Sequence, residues 1–200
     1  LKDAQKIKGV VASSAGNHAQ GVALAAKKLK IRAVIVMPSS TPKIKVQAVQ
    51  QLGAEVILHG DIYDDAFQHA NKLCSEQDLN FIHPYDDIDV IAGQATVAKE
   101  ILSQLEEVDL VFVPVGGGGL ISGIGAVLKA FSPSTRLVGV SARNSAELAA
   151  SIRAGHSVQV THSDTLADGC AGGVDQGSIT LPLGREVIDE LIDCTEDEIA

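Results

Sequence analysis

Tryptophan is absent from this 200-residue chain, and methionine occurs once, at Met37. Phe67, Phe81, Phe112, Phe131, Tyr63 and Tyr85 are its only phenylalanines and tyrosines. The core must then be built from alanine, valine, isoleucine and leucine, a composition suited to helices layered on a parallel sheet. Cys74, Cys170 and Cys194 are odd in number and lack CxxC spacing. That argues against a disulfide framework or a zinc site and for a reducing, cytosolic setting. No apolar run approaches the ~20 residues of a membrane span, and no signal-peptide pattern is present. Basic blocks are missing too; with a net charge of −9, nucleic acid and anionic membrane are poor partners. What remains is a 46% hydrophobic, 20% charged chain, long enough to bury a real core.

Neither low-complexity linkers nor short repeats interrupt the sequence, and short apolar runs alternate with helical stretches. Lys8 to Ser14, Ala33 to Met37, Glu55 to Leu58 and Asn80 to His83 read as strands. Between them, Val22, Ala25, Ala26 and Leu29 define one helix face, and Val46, Val49 and Leu52 another that ends at Gly53. A third helix is expected from about Tyr63 to Ser75. Beyond Pro84-Tyr85-Asp86-Asp87, a longer helix is expected with Val97, Ile101 and Leu105 inward. Strands at Leu110 and at Arg136 to Ser141 follow, with a helix from Ala146 to Ala154. Ser157 to Gly177 has no periodicity, and Leu183, Val187, Ile188 and Leu191 mark a last helix. The expected class is α/β, with two parallel-sheet units meeting near Pro84–Asp89 and sharing a cleft. The chain opens at Leu1 rather than at a methionine. Thr195-Glu196-Asp197-Glu198 reads as a capping box that announces a helix just before the end. An excerpt of a longer polypeptide is expected.

Two turns carry chemistry. Gly116 to Gly119 separate the apolar run Leu110–Val115 from the helical Leu120–Ile124. Glycines at a strand end can coil tightly, so that their N–H groups and a helix N-terminus converge on an anion, most often a phosphate. The alternative is a loop that needs only mobility. Ser13 to Gly21 likewise joins a strand end to a helix start, and free N–H groups from Ser14 to His18 would suit a small carboxylate. There the alternative is an ordinary βα turn with Asn17 as helix cap.

Ser14-Ala15-Gly16-Asn17-His18 with Gln20-Gly21, Val36-Met37-Pro38, Gly53-Ala54-Glu55-Val56, Ala92-Gly93-Gln94 and Gly116 to Leu120 together resemble the threonine/serine dehydratase family. These are pyridoxal-phosphate enzymes of the tryptophan-synthase-β fold, and serine racemase is a close relative. The resemblance implies two three-layer units: residues 1–86 as a small substrate-carboxylate domain and 87–200 as part of a large cofactor-phosphate domain. It implies that Gly116, Gly117, Gly118, Gly119 and Leu120 hold the cofactor phosphate. Asn17 would bond the pyridine 3′-oxygen, and Gly169 would line the cofactor pocket, unless it is a bare turn. Ser14, Ala15, Gly16, Asn17 and His18 would hold the substrate carboxylate. The catalytic lysine would lie upstream of Leu1 and the pyridine-nitrogen contact beyond Ala200. No catalytic residue is then assigned within this chain, and the segment alone should not turn over.

Two departures refine the implied activity. Racemases of the family carry serine where Ala15 stands; alanine has no proton to exchange, so elimination is expected over racemisation. Many relatives hold a divalent cation near the position of Ser141, which is a poor ligand for Mg²⁺ or Ca²⁺. Glu147 matches a second, carboxylate ligand but could equally be a solvated helix residue, and no metal is expected. The implied reaction is dehydration of L-threonine or L-serine to a 2-oxo acid and ammonia, by a protein that is a homo-oligomer when intact. Racemase or hydroxyaspartate dehydratase activity stays open within the family. Outside it, a nucleotide-binding module is opposed by the lack of an acidic residue at Val140-Ser141-Ala142-Arg143. A non-catalytic binding segment also stays open.

Overall fold

A computed structural model describes residues 2–200. It divides into two units, the first ending at Pro84 and the second beginning at Tyr85. The sequence reading placed this division two residues later. Tyr85 and Asp86 go with the second unit because their side chains bond within it, Asp86 Oδ1 accepting from Ser178 Oγ and Ile179 N at 2.8 Å each.

The first unit contains α1 (Asp3–Lys8), β1 (Val10–Ser13), α2 (Asn17–Leu29), β2 (Ala33–Met37), α3 (Lys43–Gln51), β3 (Glu55–Leu58), α4 (Tyr63–Glu76) and β4 (Asn80–Phe81). The sheet order is β3-β2-β1-β4, with every pair parallel. Strand alternation sends residues to two faces. Val10, Ala12, Ile35 and Met37 pack with α2 and α3, while Val11, Val34 and Val36 pack with Ala66, Ala70 and Leu73 of α4. Both faces are covered, which is why β1 and β2 are apolar at nearly every position.

The inward face of α2 is Ala19, Val22, Ala23 and Ala26, and Leu29 is 52% exposed. The expected stripe had the right period but sat three residues too far along. Small residues take the contact because they let the helix approach the sheet. The expected first strand is shorter than its apolar run: α1 occupies Asp3–Lys8, and Gly9 at φ +84° turns the chain into β1.

The second unit contains α5 (Ile88–Gln104), β5 (Leu110–Pro114), α6 (Gly119–Phe131), β6 (Arg136–Ala142), α7 (Glu147–Ala154), α8 (Thr180–Val187), β7 (Glu190–Cys194) and α9 (Glu196–Ile199). Its parallel sheet has the order β5-β6-β7. Val113, Val115 and Leu137 share a core with Ala98 of α5, Ile121, Ile124 and Leu128 of α6, Leu148 of α7 and Val187 of α8. Each fully buried leucine or isoleucine contributes about 1.5–3 kcal/mol. On the other face of the edge strand β5, Phe112 is 60% exposed, so the expected further layer does not reach it.

Two expectations are corrected here. Ile91 and Ala98 are the buried positions of α5, whereas Val97 and Leu105 are exposed. The last apolar stretch is not one helix: α8 stops at Val187 and Leu191 lies on β7. Asp189 makes the break, its carboxylate accepting from Leu137 N at 2.7 Å and Lys129 Nζ at 2.6 Å while its own N–H bonds Leu137 O. The capping box at Thr195 forms, with Thr195 Oγ1 accepting from Glu198 N and Glu198 Oε2 from Thr195 N.

Candidate active site

Both turns singled out by the sequence lie at carboxyl ends of parallel strands, the usual position of ligand sites in α/β sheets. In the second unit, β5 continues to Val115, whose N–H bonds Val140 O at 2.7 Å, and then enters the four glycines. Gly118, at φ +90°, is the N-cap of α6, and no side chain caps that end. None of the backbone N–H groups from Gly116 to Ile121 has an acceptor among the described residues. Six donors at the positive end of a 13-residue helix are suited to a dianionic phosphate.

Packing shows why each position is glycine. A Cβ on Gly117 would overlap the Tyr85 ring, and one on Gly119 would lie 2.9 Å from Tyr85 Cα. A Cβ on Gly116 would lie 3.0 Å from Cys170 O, and one on Gly118 would collide with Leu148. The turn is therefore a packed feature and not a mobile loop. Its neighbours Tyr85, Leu148 and Cys170 were not identified from sequence. The only local signal was a tyrosine after Pro84 in a chain poor in aromatics. Leu120 is half-buried behind the turn and joins the unit's core.

In the first unit, β1 ends at Ser13 and α2 begins at Asn17, with Gly16 as N-cap. Asn17 is thus the first helical residue and not the cap, and it is exposed. Two of the expected free N–H groups are spent within the protein. Ser14 N–H continues the strand ladder to Val36 O at 3.2 Å, and Gly16 N–H bonds Ser14 Oγ at 3.1 Å. Those of Ala15, Asn17 and His18 have no acceptor among the described residues. The hydroxyl of the fully buried Ser13 also has no partner there.

His18 Nε2 lies 3.0 Å from Ile82 O, so Nε2 carries the proton. Burial lowers the pKa of His18; the Ile82 carbonyl opposes this shift and His83 adds to it. The imidazole is thereby biased to the neutral form.

Gly169 lies in a 3₁₀ turn, Asp168–Cys170, and is exposed. Its neighbour Cys170, which lies against Gly116, has its thiol pKa raised by burial and then by Asp168. Ser141 is buried near the end of β6, its hydroxyl unpartnered. Glu147 is 7% exposed, not a solvated helix residue, and its carboxylate accepts from Val174 N at 2.7 Å and His162 Nε2 at 3.1 Å. No group of three or more His, Cys, Asp or Glu among the described residues is arranged to hold a metal ion. No helix among them is long and apolar enough to cross a membrane.

A glycine turn with unpartnered amides at a strand end of a parallel α/β sheet defines a class that the comparisons with known proteins specify. Over residues 1–200 the chain matches the pyridoxal-phosphate-dependent enzyme family, and it belongs to that family. It is 44% identical over 200 residues to L-threonine ammonia-lyase of Thermotoga maritima, covering all of this chain and 50% of the relative. It is 45% identical over 199 residues to the catabolic L-threonine dehydratase TdcB of Escherichia coli K12, covering 60% of that protein. Among solved structures, threonine deaminase isoform 2 of Solanum lycopersicum superposes with a TM-score of 0.91 at 42% identity. That match covers 98% of this chain and 57% of the tomato chain. Maize serine racemase superposes with a TM-score of 0.92 at 36% identity, over 98% of this chain and 59% of its own. The chain thus spans about half to three-fifths of the length of these relatives. The family's cofactor is pyridoxal phosphate, and the unpartnered amides of Gly116–Ile121 fit its phosphate.

Proposed function

We propose that the protein to which this chain belongs converts L-threonine, L-serine or both to a 2-oxo acid and ammonia. The water lost on dehydration is regained when ammonia leaves, so the amino acid alone balances the products. The observation that carries this reading is the glycine turn, with six unpartnered amides at a helix N-terminus. The identities to threonine dehydratases support the substrate class.

In this reading the Gly116–Ile121 amides bind the cofactor phosphate. The Ala15, Asn17 and His18 amides orient the substrate carboxylate, and the Asn17 side chain bonds the ring oxygen. Neutral His18, tied to Ile82 O, keeps the carboxylate turn in place without adding a charge. When bound, pyridoxal phosphate supplies an electron sink for bond breaking at the amino-acid Cα. The methyl group of Ala15 has no proton to donate or accept, which favours elimination over the racemisation named for the maize neighbour. Gly169 is assigned to the pocket lining. The intact protein is read as a cytosolic homo-oligomer, and light scattering on the purified gene product tests the assembly.

The decisive experiment supplies the intact protein with L-threonine and L-serine, measures 2-oxo acid, and separates D- from L-serine. Oxo-acid formation without D-serine is expected. D-serine as the main product would replace this reading with the racemase, and a protein that leaves both substrates unchanged would overturn it.

A further inference from the structure

From Gly155 to Ile179 the second unit has one 3₁₀ turn and no strand or α-helix, so backbone ladders do not hold this loop. Three of the residues that lead into and begin α7, Asn144, Ser145 and Glu147, anchor it at several points. Asn144 O accepts from Ser163 N at 3.0 Å, and Asn144 Nδ2 donates to Asp164 O at 2.7 Å. Ser145 Oγ accepts from Gly172 N at 3.0 Å and lies 2.8 Å from His162 Nδ1. Glu147 Oε1 accepts from Val174 N at 2.7 Å, while Oε2 accepts from His162 Nε2 at 3.1 Å and, more weakly, from Val160 N at 3.5 Å. With the proton of His162 on Nε2, every donor in the chain has one acceptor: Gly172 N–H to Ser145 O–H to His162 Nδ1, then Nε2–H to Glu147.

Serine, histidine and glutamate here occur in the order of a hydrolytic triad, but Ser145 is 3% exposed and its oxygen already accepts an amide. That arrangement braces a loop; it does not present a nucleophile. It also disagrees with the divalent cation implied at Ser141 and Glu147. Mg²⁺ and Ca²⁺ need several oxygen donors. Here both Glu147 oxygens receive N–H groups, whose hydrogens would face an ion with the wrong sign.

We infer that Glu147 is a positioning residue: with His162 and Ser145 it fixes both limbs of the 155–179 loop, and so Cys170 against the glycine turn, through N–H donors in place of a cation. Hydrogen exchange read by mass spectrometry on the full chain tests this, with EDTA and with added Mg²⁺ or Ca²⁺. Exchange in the unaltered protein should be the same in all three conditions. Glu147→Ala should speed exchange about tenfold at the Val160, Gly172 and Val174 amides, the equivalent of one charge-assisted hydrogen bond. Glu147→Gln, which keeps an acceptor for Val174 N, should restore part of the protection there. If Glu147→Ala does not fold, His162→Ala is read instead, and faster exchange in the loop supports the inference. Cation-dependent protection of these amides in the unaltered protein would overturn it, as would unchanged exchange in the alanine variants.

Discussion

Gly117 and Tyr85 form one unit of design: the ring occupies the space that any side chain at 117 would need. Gly117→Ala should weaken pyridoxal phosphate binding about 10- to 100-fold, the effect of 1–3 kcal/mol of overpacking. In a Tyr85→Ala background the same substitution should cost clearly less, because the obstructing ring is gone. Spectrophotometric cofactor titration of the four proteins measures both effects. Equal losses in the two backgrounds would show that Gly117 answers to the cofactor alone.

His18 gives a prediction of opposite character, in pH. Burial disfavours its charged form, so the folded protein takes up that proton at a lower pH than the unfolded chain does. Above about pH 6.5 this residue leaves stability independent of pH. As pH falls below that value the unfolded chain binds the proton first, and stability is lost down to the lowered pKa of the fold. The urea midpoint should therefore fall as the pH is lowered below about 6.5. His18→Gln, which can still donate to Ile82 O, should flatten that drop.

Among the elements, α6 shows how packing reverses a propensity rule. Glycine inside a helix normally costs roughly 0.5–1 kcal/mol relative to alanine, so Gly123→Ala would stabilise an isolated helix. Here a Cβ on Gly123 would overlap Ile91 O and lie 2.7 Å from Ala95 N, both backbone atoms of α5. Backbone cannot move aside as a side-chain tip can. Gly123→Ala should destabilise by about 1–3 kcal/mol in denaturant unfolding. A gain in stability would mean that α5 and α6 do not approach so closely.

At the scale of the whole molecule, each unit has its own hydrophobic core, one around β1 and β2 and one around β5 and β6. Ile35→Ala and Leu137→Ala each empty a site that is 0% exposed and should each cost about 2–5 kcal/mol. Hydrogen exchange should show the loss inside the altered unit, in residues 10–81 for Ile35 and 88–194 for Leu137. Equal loss of protection in both units would show that they unfold as one.

The strand–helix alternation, the two strand-end turns and the family were legible in the residues alone, because apolar periodicity and glycine runs are local signals. So were the observed limits of β2 and β3, and Gly155 and the Thr195 box as helix boundaries. Which helix faces turn inward depended on packing, since Ala19–Ala26 beats a stripe ending at Leu29 only once a sheet demands close approach. Packing also decided that Leu191 belongs to a strand, because Asp189 finds Leu137 and Lys129 far away in sequence. The long-range partners of Gly117, Ser14 N–H and Glu147 were likewise invisible: which atoms fill a space or accept a proton depends on distances that the order of residues does not contain.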